Sequence, residues 1–159
     1  MISLLKVYLI LNKSLKMKVG ITGSNGFIGS SLVNFLRSKD FNVKPLARKK
    51  IGKVLINNLS KFTDWEDSIK NLDIIIHCGA RVHKFDDKEP LSSKLFNEVN
   101  VEGTKKLAEQ AANLGIKKFI FLSTIKVNGE NTNDTNPISR SSSINPQDPY
   151  AISKANGER

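Results

Sequence analysis

The stretch KVGITGSNGFIG, at residues 18–29, decides the fold class of this chain. A short β-rich run ends in three glycines, Gly23, Gly26 and Gly29, and an apolar pattern with helical spacing follows directly. In such a strand–turn–helix unit the first glycine permits a tight turn, the second lets a pyrophosphate approach the backbone, and the third lets the helix pack closely on the sheet. The free N–H groups at the helix start attract phosphate. The stretch therefore predicts a dinucleotide-binding turn, and a plain turn without a ligand is the alternative.

Beyond this turn, short apolar runs alternate with amphipathic stretches along the chain. This alternation predicts an α/β fold built on a parallel sheet. Uninterrupted apolar runs, such as DIIIHC at 73–78, are typical of strands that are buried on both faces. Pro45 predicts that its strand is weak or lies near a sheet edge. We predict strands at 18–22, 42–47, 53–57, 73–78 and 117–123, and helices at 27–39, 63–72, 91–115 and from Tyr150 onward.

Composition argues against several classes of function. The 159 residues are about the size of one domain, and the formal net charge is +10. The lysines and arginines are scattered and no basic run is interleaved with aromatic residues, so an ordinary basic surface is favoured over a nucleic-acid site. The single cysteine, Cys78, cannot form an internal disulfide and fits a reducing compartment, so we expect a cytoplasmic protein. One cysteine and two histidines without ligand spacing argue against a metal site, and we interpret His77 as a core histidine.

The first sixteen residues, MISLLKVYLILNKSLK, hold an apolar run that is too short to span a bilayer. No small-residue cleavage site of a signal peptide follows this run. We therefore interpret residues 1–16 as an upstream extension and place the start of the domain at Met17. An anchor at the membrane surface is the alternative.

Tyr150 and Lys154 lie four residues apart, so they share one face of a helix. A phenol has a reference pKa near 10, which is high for an acid/base at neutral pH. An ammonium group about 4 Å away contributes about 4 kcal/mol at an effective dielectric of about 20, which would lower the pKa by about 3. We therefore expect Lys154 to acidify Tyr150 into a catalytic acid/base. A surface pair without function is the alternative.

Five motifs in the same order resemble the extended, nucleotide-sugar epimerase/dehydratase branch of the short-chain dehydrogenase/reductase superfamily. The resemblance covers residues 17–159 and implies a Rossmann-type doubly wound parallel sheet with strand order 3-2-1-4-5. The glycine turn of this chain has the spacing G-x-x-G-x-x-G, whereas classical dehydrogenases have G-x-G-x-x-G. The motifs are TGSNGFIG at 22–29, DIIIHCGA at 73–80, NVEGT at 100–104, FIFLSTIKVNG at 119–129 and PYAISK at 149–154.

The resemblance also implies the residues of a site. Thr124 completes a Ser/Thr–Tyr–Lys set with Tyr150 and Lys154, and Asn100 supports the lysine through a water. Substrate contacts fall on Thr124 and Tyr150, with Ser123 as the fallback for Thr124. The cofactor contacts fall on Gly23, Asn25, Gly26, Phe27, Ile28, Gly29, Arg48, Asn58, Leu59, Gly79, Ala80 and Lys154.

The type of nicotinamide cofactor depends on the segment LARKK at 46–50. An NAD site usually presents a carboxylate to the ribose about 20 residues past the glycines, whereas this segment presents Arg48. A guanidinium can hold a 2′-phosphate with paired hydrogen bonds, which favours NADP over NAD. A solvated basic turn is the alternative. Asn58 and Leu59 stand where the resembled family often has an Asp-Leu pair beside the adenine.

The residues that follow Thr124 indicate which reaction of this branch to expect. Dehydratases of this branch carry an Asp-Glu pair there, whereas this chain has Ile125 and Lys126. STIKVNG at 123–129 is closer to 4-epimerases and 4-ketoreductases that act on UDP-sugars. A non-catalytic dinucleotide sensor of the same fold is the alternative function.

Enzymes of the resembled branch continue for roughly as many residues again. We therefore expect this chain to be an amino-terminal portion, truncated before a sixth strand and a substrate domain, with an uncovered sheet edge. In this form we expect weak cofactor binding and no turnover of sugar. For the full-length form the resemblance implies a homodimer.

Overall fold

The structure is a computed structural model that describes residues 17–51, 54–56, 58–82, 91–132, 137–139 and 141–159. The predicted extension at 1–16 lies outside the described residues. The strands are β1 (Lys18–Thr22), β2 (Asn42–Leu46), β3 (Lys49–Ile51), β4 (Val54–Ile56), β5 (Ile74–His77) and β6 (Lys118–Phe121). The α-helices are α1 (Phe27–Arg37), α2 (Glu66–Ile69), α3 (Leu91–Phe96), α4 (Gly103–Asn113) and α5 (Pro149–Gly157); a π-helix (Asn97–Glu102) and a 3₁₀ turn (Ile125–Val127) complete the set.

The main sheet confirms the predicted α/β class with parallel strands. Its strand order is β2-β1-β5-β6, and each neighbouring pair is parallel. Among the described strands, β2 has a neighbour only on its β1 side, where Pro45 lies opposite Ile21. The prediction that Pro45 lies near an edge is therefore confirmed, because an edge strand tolerates a missing N–H donor.

The third strand of the expected order 3-2-1-4-5 is not where the sequence placed it. Within the predicted segment 53–57, β4 pairs with β3 in an antiparallel two-stranded sheet, with Lys49 opposite Ile56 and Ile51 opposite Val54. Only two residues separate β3 from β4, which allows a hairpin, whereas a parallel pair requires a crossover of a dozen or more residues. In the described part of the chain, the order of the remaining four strands agrees with the prediction.

Helices cover both faces of the sheet, so its central strands are buried on each side. On one face, α1 buries Leu32, Val33 and Leu36 against β1, β2 and β5. On the other face, Leu107 of α4 packs in a cluster with Trp65. Strand β5 serves both layers: Ile74 and Ile76 belong to the first cluster and Ile75 to the second. Full burial of a side chain of this size stabilises the fold by about 1.5–3 kcal/mol. The uninterrupted apolar run of β5 therefore stabilises the packing on both faces of the sheet.

The predicted helices differ from the observed ones mainly in length. The segment 91–115 is helical through α3, the π-helix and α4, and it ends at Gly115, which has a φ of 71°. The segment 63–72 forms only the short helix α2, with Trp65 at its N-cap, and the N–H of Trp65 donates to the Gln110 side chain at 2.7 Å.

An open groove lies on the outer side of β6. Among the described strands, β6 has a neighbour only on its β5 side. The groove has a volume of about 640 Å³ and runs between α4, β6 and the end of α5. Its lining includes Thr104, Ala108, Phe119, Phe121, Ser123 and Gly157. The described part of the sheet thus shows the exposed edge that we expected. None of the helices in this part is both long enough and apolar enough to cross a bilayer.

Candidate functional site

The glycine turn between β1 and α1 is closed tightly by its own backbone. Gly23 has a φ of 62°, a conformation that side chains rarely adopt, and its carbonyl accepts the Gly26 N–H at 2.9 Å. A Cβ on Gly29 would overlap the carbonyl oxygen of Gly23 and lie 2.7 Å from its carbonyl carbon. The predicted tight turn and close helix packing are therefore both present.

The end of β5 supports this turn from the side. The Gly79 N–H donates to Thr22 Oγ1 at 3.1 Å, and Gly79 is so close that a Cβ on Gly23 would lie 2.8 Å from its Cα. Thr22 Oγ1 also lies 2.6 Å from His77 Nδ1, and His77 Nε2 lies 3.0 Å from Thr104 Oγ1. Burial lowers the pKa of His77 to about 3, so its imidazole is neutral and has one donor and one acceptor nitrogen for the two threonines. The interpretation of His77 as a satisfied core histidine is confirmed.

The residues around the turn fit a dinucleotide phosphate. Gly26 begins α1 without a side-chain hydrogen bond to the helix start, so the first-turn N–H groups remain available to an anion. The buried hydroxyl of Ser24 has no hydrogen-bond partner within the described part of the chain. Phe27 is 91% exposed and Ile28 51% exposed at the same helix end, and Asn25 is exposed beside them. Small residues, free donors and exposed apolar groups therefore meet at one place.

The other predicted cofactor contacts lie around the same carboxyl edge of the sheet. Arg48 is exposed, two residues beyond the end of β2. The Asn58 carbonyl accepts the Thr63 hydroxyl at 2.6 Å, and Leu59 is buried against Gly79. Gly79 and Ala80 follow β5 and are half-buried. The side chains of residues 49 and 50 are not among the described ones.

Thr124 and Tyr150 are tied to each other through Lys126 and Asp148. Thr124 follows β6 and its Oγ1 accepts the Lys126 N–H at 3.3 Å, which caps the 3₁₀ turn. The Lys126 ammonium group hydrogen-bonds Asp148, whose other carboxylate oxygen accepts the Ala151 N–H at 2.6 Å and caps α5. Tyr150 lies in the first turn of that helix, half-buried, with its ring edge-on to Phe96 at 6.1 Å.

The expected acidification of Tyr150 by Lys154 is wrong, because the pKa of Tyr150 is raised. Burial raises the pKa of Tyr150, the charge of Asp148 raises it further, and Lys126 partly opposes them. Lys154 is 2% exposed, and its Nζ lies 3.7 Å from the centre of the Phe121 ring. Burial lowers the pKa of Lys154 to about 8, so the side chain is closer to losing its positive charge at neutral pH. A shared helix face brings the two residues to one side, but it does not fix where the lysine side chain points.

Asn100 is hydrogen-bonded to Arg81 and to α5, and its expected water-mediated support of Lys154 stays a prediction. Its side chain is buried, accepts the Arg81 N–H at 2.7 Å and donates to the Arg81 carbonyl at 3.0 Å. The same amide group donates to Ser153 Oγ at 2.9 Å, and the Ser153 hydroxyl donates to the Tyr150 carbonyl at 2.7 Å. Asn100 therefore holds the backbone of α5 next to Tyr150 and Lys154.

Ser123 lines the groove beside β6. Its hydroxyl is buried without a partner among the described residues and lines that groove with Phe121 and Gly157. Thr124 is therefore the better candidate for a substrate contact. Asp148 was not predicted from the sequence, although an Asp before a Pro at a helix start is a known capping signal.

Comparisons with known proteins agree with this geometry. The model of the NAD dependent epimerase/dehydratase family matches residues 19–159. The chain is 38% identical over 154 residues to a UDP-glucose 4-epimerase of Vibrio cholerae, and the match covers 93% of this chain and 47% of that protein.

Two solved structures show the same relationship. A short-chain dehydrogenase/reductase superfamily protein from Agrobacterium tumefaciens with bound NAD has a TM-score of 0.74 and 27% identity, over 89% of this chain and 43% of that one. A UDP-glucose 4-epimerase of Thermus thermophilus in complex with NAD has a TM-score of 0.73 and 26% identity, over 89% and 49%. The chain spans about half the length of the relatives it matches. With the family match over residues 19–159, these likenesses confirm the predicted resemblance, and the chain belongs to the NAD dependent epimerase/dehydratase family.

Proposed function

We propose that this chain forms the cofactor-binding part of an NAD(P)-dependent nucleotide-sugar 4-epimerase or 4-ketoreductase. One observation carries the proposal: the closed glycine turn follows β1 and Thr124 follows β6, in one parallel sheet, and the contact between Lys126 and Asp148 joins the Thr124 turn to the helix of Tyr150. Ligands of open α/β sheets bind outside the carboxyl ends of the strands, which supports a site at this edge of the sheet.

The glycine turn would hold the pyrophosphate of the cofactor. The first-turn N–H groups of α1 and the free Ser24 hydroxyl are the donors, and Gly23 and Gly29 leave the space. When bound, NAD(P) supplies the acceptor and donor of a hydride at C4 of the sugar. The arrangement of the protein atoms supports binding without a large rearrangement of the turn.

Tyr150 would move the proton of the C4 hydroxyl group. Thr124 Oγ1 already accepts the Lys126 N–H, so its own O–H remains available to hydrogen-bond the substrate oxygen as charge develops there. Lys154, which is buried one helical turn from Tyr150, would become a stronger electrostatic partner once a substrate or cofactor anion raises its pKa from about 8.

A UDP-sugar is the substrate class that the chain supports best. The Vibrio cholerae relative, at 38% identity, is a UDP-glucose 4-epimerase. Ile125 and Lys126 after Thr124 supply no carboxylic acid for the elimination of water, which argues against a dehydratase. A cytoplasmic location would suit both the free thiol of Cys78 and a soluble nucleotide-sugar substrate.

The choice between NADP and NAD rests on Arg48. Its exposed guanidinium group beyond β2 supports NADP, because a 2′-phosphate offers it a bidentate partner. The two solved relatives described above carry NAD. The proposal therefore keeps NADP as the favoured form and requires a direct comparison of both cofactors.

Two measurements test the proposal. Titration with NADH and NADPH, followed by nucleotide fluorescence, should show saturable binding to this chain, weaker than in its longer relatives. A fusion of this chain to the carboxyl-terminal half of the Vibrio cholerae relative should then epimerise or reduce a UDP-sugar, and Tyr150→Phe should lower its kcat by at least about 100-fold. Robust turnover by the 159-residue chain alone would contradict the assignment of this chain to cofactor binding only.

A non-catalytic dinucleotide-binding module is the second candidate. The raised pKa of Tyr150 favours it, because a phenol that stays protonated cannot act as a base at neutral pH. Unchanged activity of the Tyr150→Phe fusion would support this alternative and remove the catalytic role.

A further inference from the structure

Lys126 lies in the 3₁₀ turn that Thr124 caps and also contacts the start of the Tyr150 helix. Its backbone N–H donates to Thr124 Oγ1 at 3.3 Å, while its ammonium group reaches across to Asp148. Asp148 is 22 residues further along the chain and caps α5 through the Ala151 N–H. A single side chain therefore links the two elements that carry the proposed acid/base and its partner hydroxyl.

The same ammonium group also pairs with Glu130, at 2.9 Å. The side chains are 39% exposed for Lys126, 35% for Glu130 and 20% for Asp148, so this cluster is more enclosed than a typical surface ion pair. The two carboxylates hold the pKa of Lys126 well above its ordinary value. Burial alone would raise the pKa of Asp148, but the Lys126 and Ala151 hydrogen bonds keep it below the ordinary value.

Several charged groups lie on the elements that surround Tyr150. From its own helix come Asp148 at the cap and Lys154 four residues on; from the 3₁₀ turn comes Lys126 with Glu130 attached. On the α3 side it meets the Phe96 ring, and the Arg81 guanidinium group lies 5.7 Å from the centre of that ring. Of these groups, Asp148 raises the pKa of the phenol and Lys126 lowers it.

We propose that Lys126 is a positioning residue of the site: it fixes the first turn of α5 against the Thr124 turn and offsets the negative charge beside Tyr150. Without its ammonium group, Asp148 and Glu130 would lose the cation that pairs with both, and the charge of Asp148 would act on the phenol unopposed. The proposal rests on the proposed function for its catalytic meaning, but its physical content concerns the ligand-free chain alone.

Direct titration of the Tyr150 phenol tests the proposal without any enzymatic assay. The chain holds two tyrosines, so ¹³Cζ-labelled tyrosine gives two NMR signals, and Tyr150→Phe assigns the relevant one. Lys126→Met should raise the pKa of Tyr150 by about 0.5–1, since it removes one nearby positive charge. Lys126→Arg, which keeps the charge and both partners, should leave that pKa near the wild-type value.

Glu130→Gln changes the local charge in the opposite direction. It keeps the proposal testable if Lys126→Met does not fold. This variant removes one carboxylate but keeps the bond between Lys126 and Asp148, so the pKa of Tyr150 should fall. An unchanged pKa in a folded Lys126→Met chain, or an unchanged or raised pKa in Glu130→Gln, would overturn the proposal. Loss of cofactor binding by the wild-type chain would instead contradict the proposed function and leave this inference standing.

Discussion

The ammonium group of Lys154 lies 3.7 Å from the centre of the Phe121 ring, where the end of α5 packs on β6. The side chain is 2% exposed, and its burial lowers the pKa to about 8. The aromatic face offsets part of the cost of a buried cation, which leaves the lysine close to its titration point near neutral pH. A lysine with this pKa can change its protonation state when a charged ligand binds nearby.

Lys154→Met should stabilise the ligand-free chain at pH 7. The folded pKa of about 8 is below the ordinary lysine value of 10.5, so the unfolded chain binds the extra proton between these pH values and stability rises with pH across that window. The variant should gain up to about 3 kcal/mol in the free energy of unfolding at pH 7 and little at pH 10.5. Urea unfolding at both pH values measures this, with the exposed Lys105→Met as the matched control. An identical pH slope in wild type and Lys154→Met would contradict the account.

Gly29→Ala should abolish NADH binding and reduce stability. Its Cβ would overlap the Gly23 carbonyl oxygen, so α1 would have to move away from the turn that holds the phosphates. Gly115→Ala is the control, because Gly115 has a positive φ, so an added Cβ costs stability there, but no atom lies within 4 Å of that Cβ. The control should lose about 1–2 kcal/mol of stability and keep full NADH binding. Fluorescence titration and thermal unfolding separate the two effects, and equal NADH affinity in both variants would argue against the glycine turn as the site.

Arg48→Ala should weaken NADPH binding about 10-fold, or about 1.4 kcal/mol, and leave NADH binding unchanged. The reason is that only NADPH carries the 2′-phosphate that a guanidinium group can hold. Lys44→Ala, an exposed change on the neighbouring strand β2, controls for a general loss of positive charge. Equal losses for both cofactors, or for both variants, would show that Arg48 does not select NADP.

The buried His77 should make the chain acid-labile. Its pKa of about 3 is below the ordinary value of 6.5, so stability is fully present above pH 6.5 and is lost as the pH falls towards 3. The loss should reach up to about 5 kcal/mol, in addition to that from carboxylates. Comparison of unfolding at pH 7 and pH 4 in wild type and His77→Gln measures the histidine share. A wild-type pH slope that survives in His77→Gln would assign acid lability to other groups.

Much of the fold was readable from the sequence because its signals are local. The uninterrupted run of β5 predicted burial on both faces, and Pro45 predicted a sheet edge. The hairpin of β3 and β4 was not predicted, because a short apolar run does not indicate which strand it pairs with. That pairing depends on the length of the connection.

The residue types of the candidate site could be predicted from the sequence, but their electrostatic interactions could not. The glycine turn and the positions of Thr124 and Tyr150 follow from short motifs. The contact between Lys126 and Asp148 spans 22 residues of chain, and the direction of the Lys154 side chain depends on Phe121 of another strand. Burial of Tyr150 and the charge of Asp148 raise its pKa, so the helical spacing of Tyr150 and Lys154 predicted the wrong direction.

The central claim is that a dinucleotide held by the glycine turn reaches the Tyr150 phenol, and the ¹³Cζ signal of Tyr150 tests it most directly. Titration of that signal with and without saturating NAD⁺ should show a lower phenol pKa in the complex, because the oxidised nicotinamide brings a positive charge beside it. Gly29→Ala should remove the difference. A phenol pKa that is the same with and without saturating NAD⁺ would contradict the account.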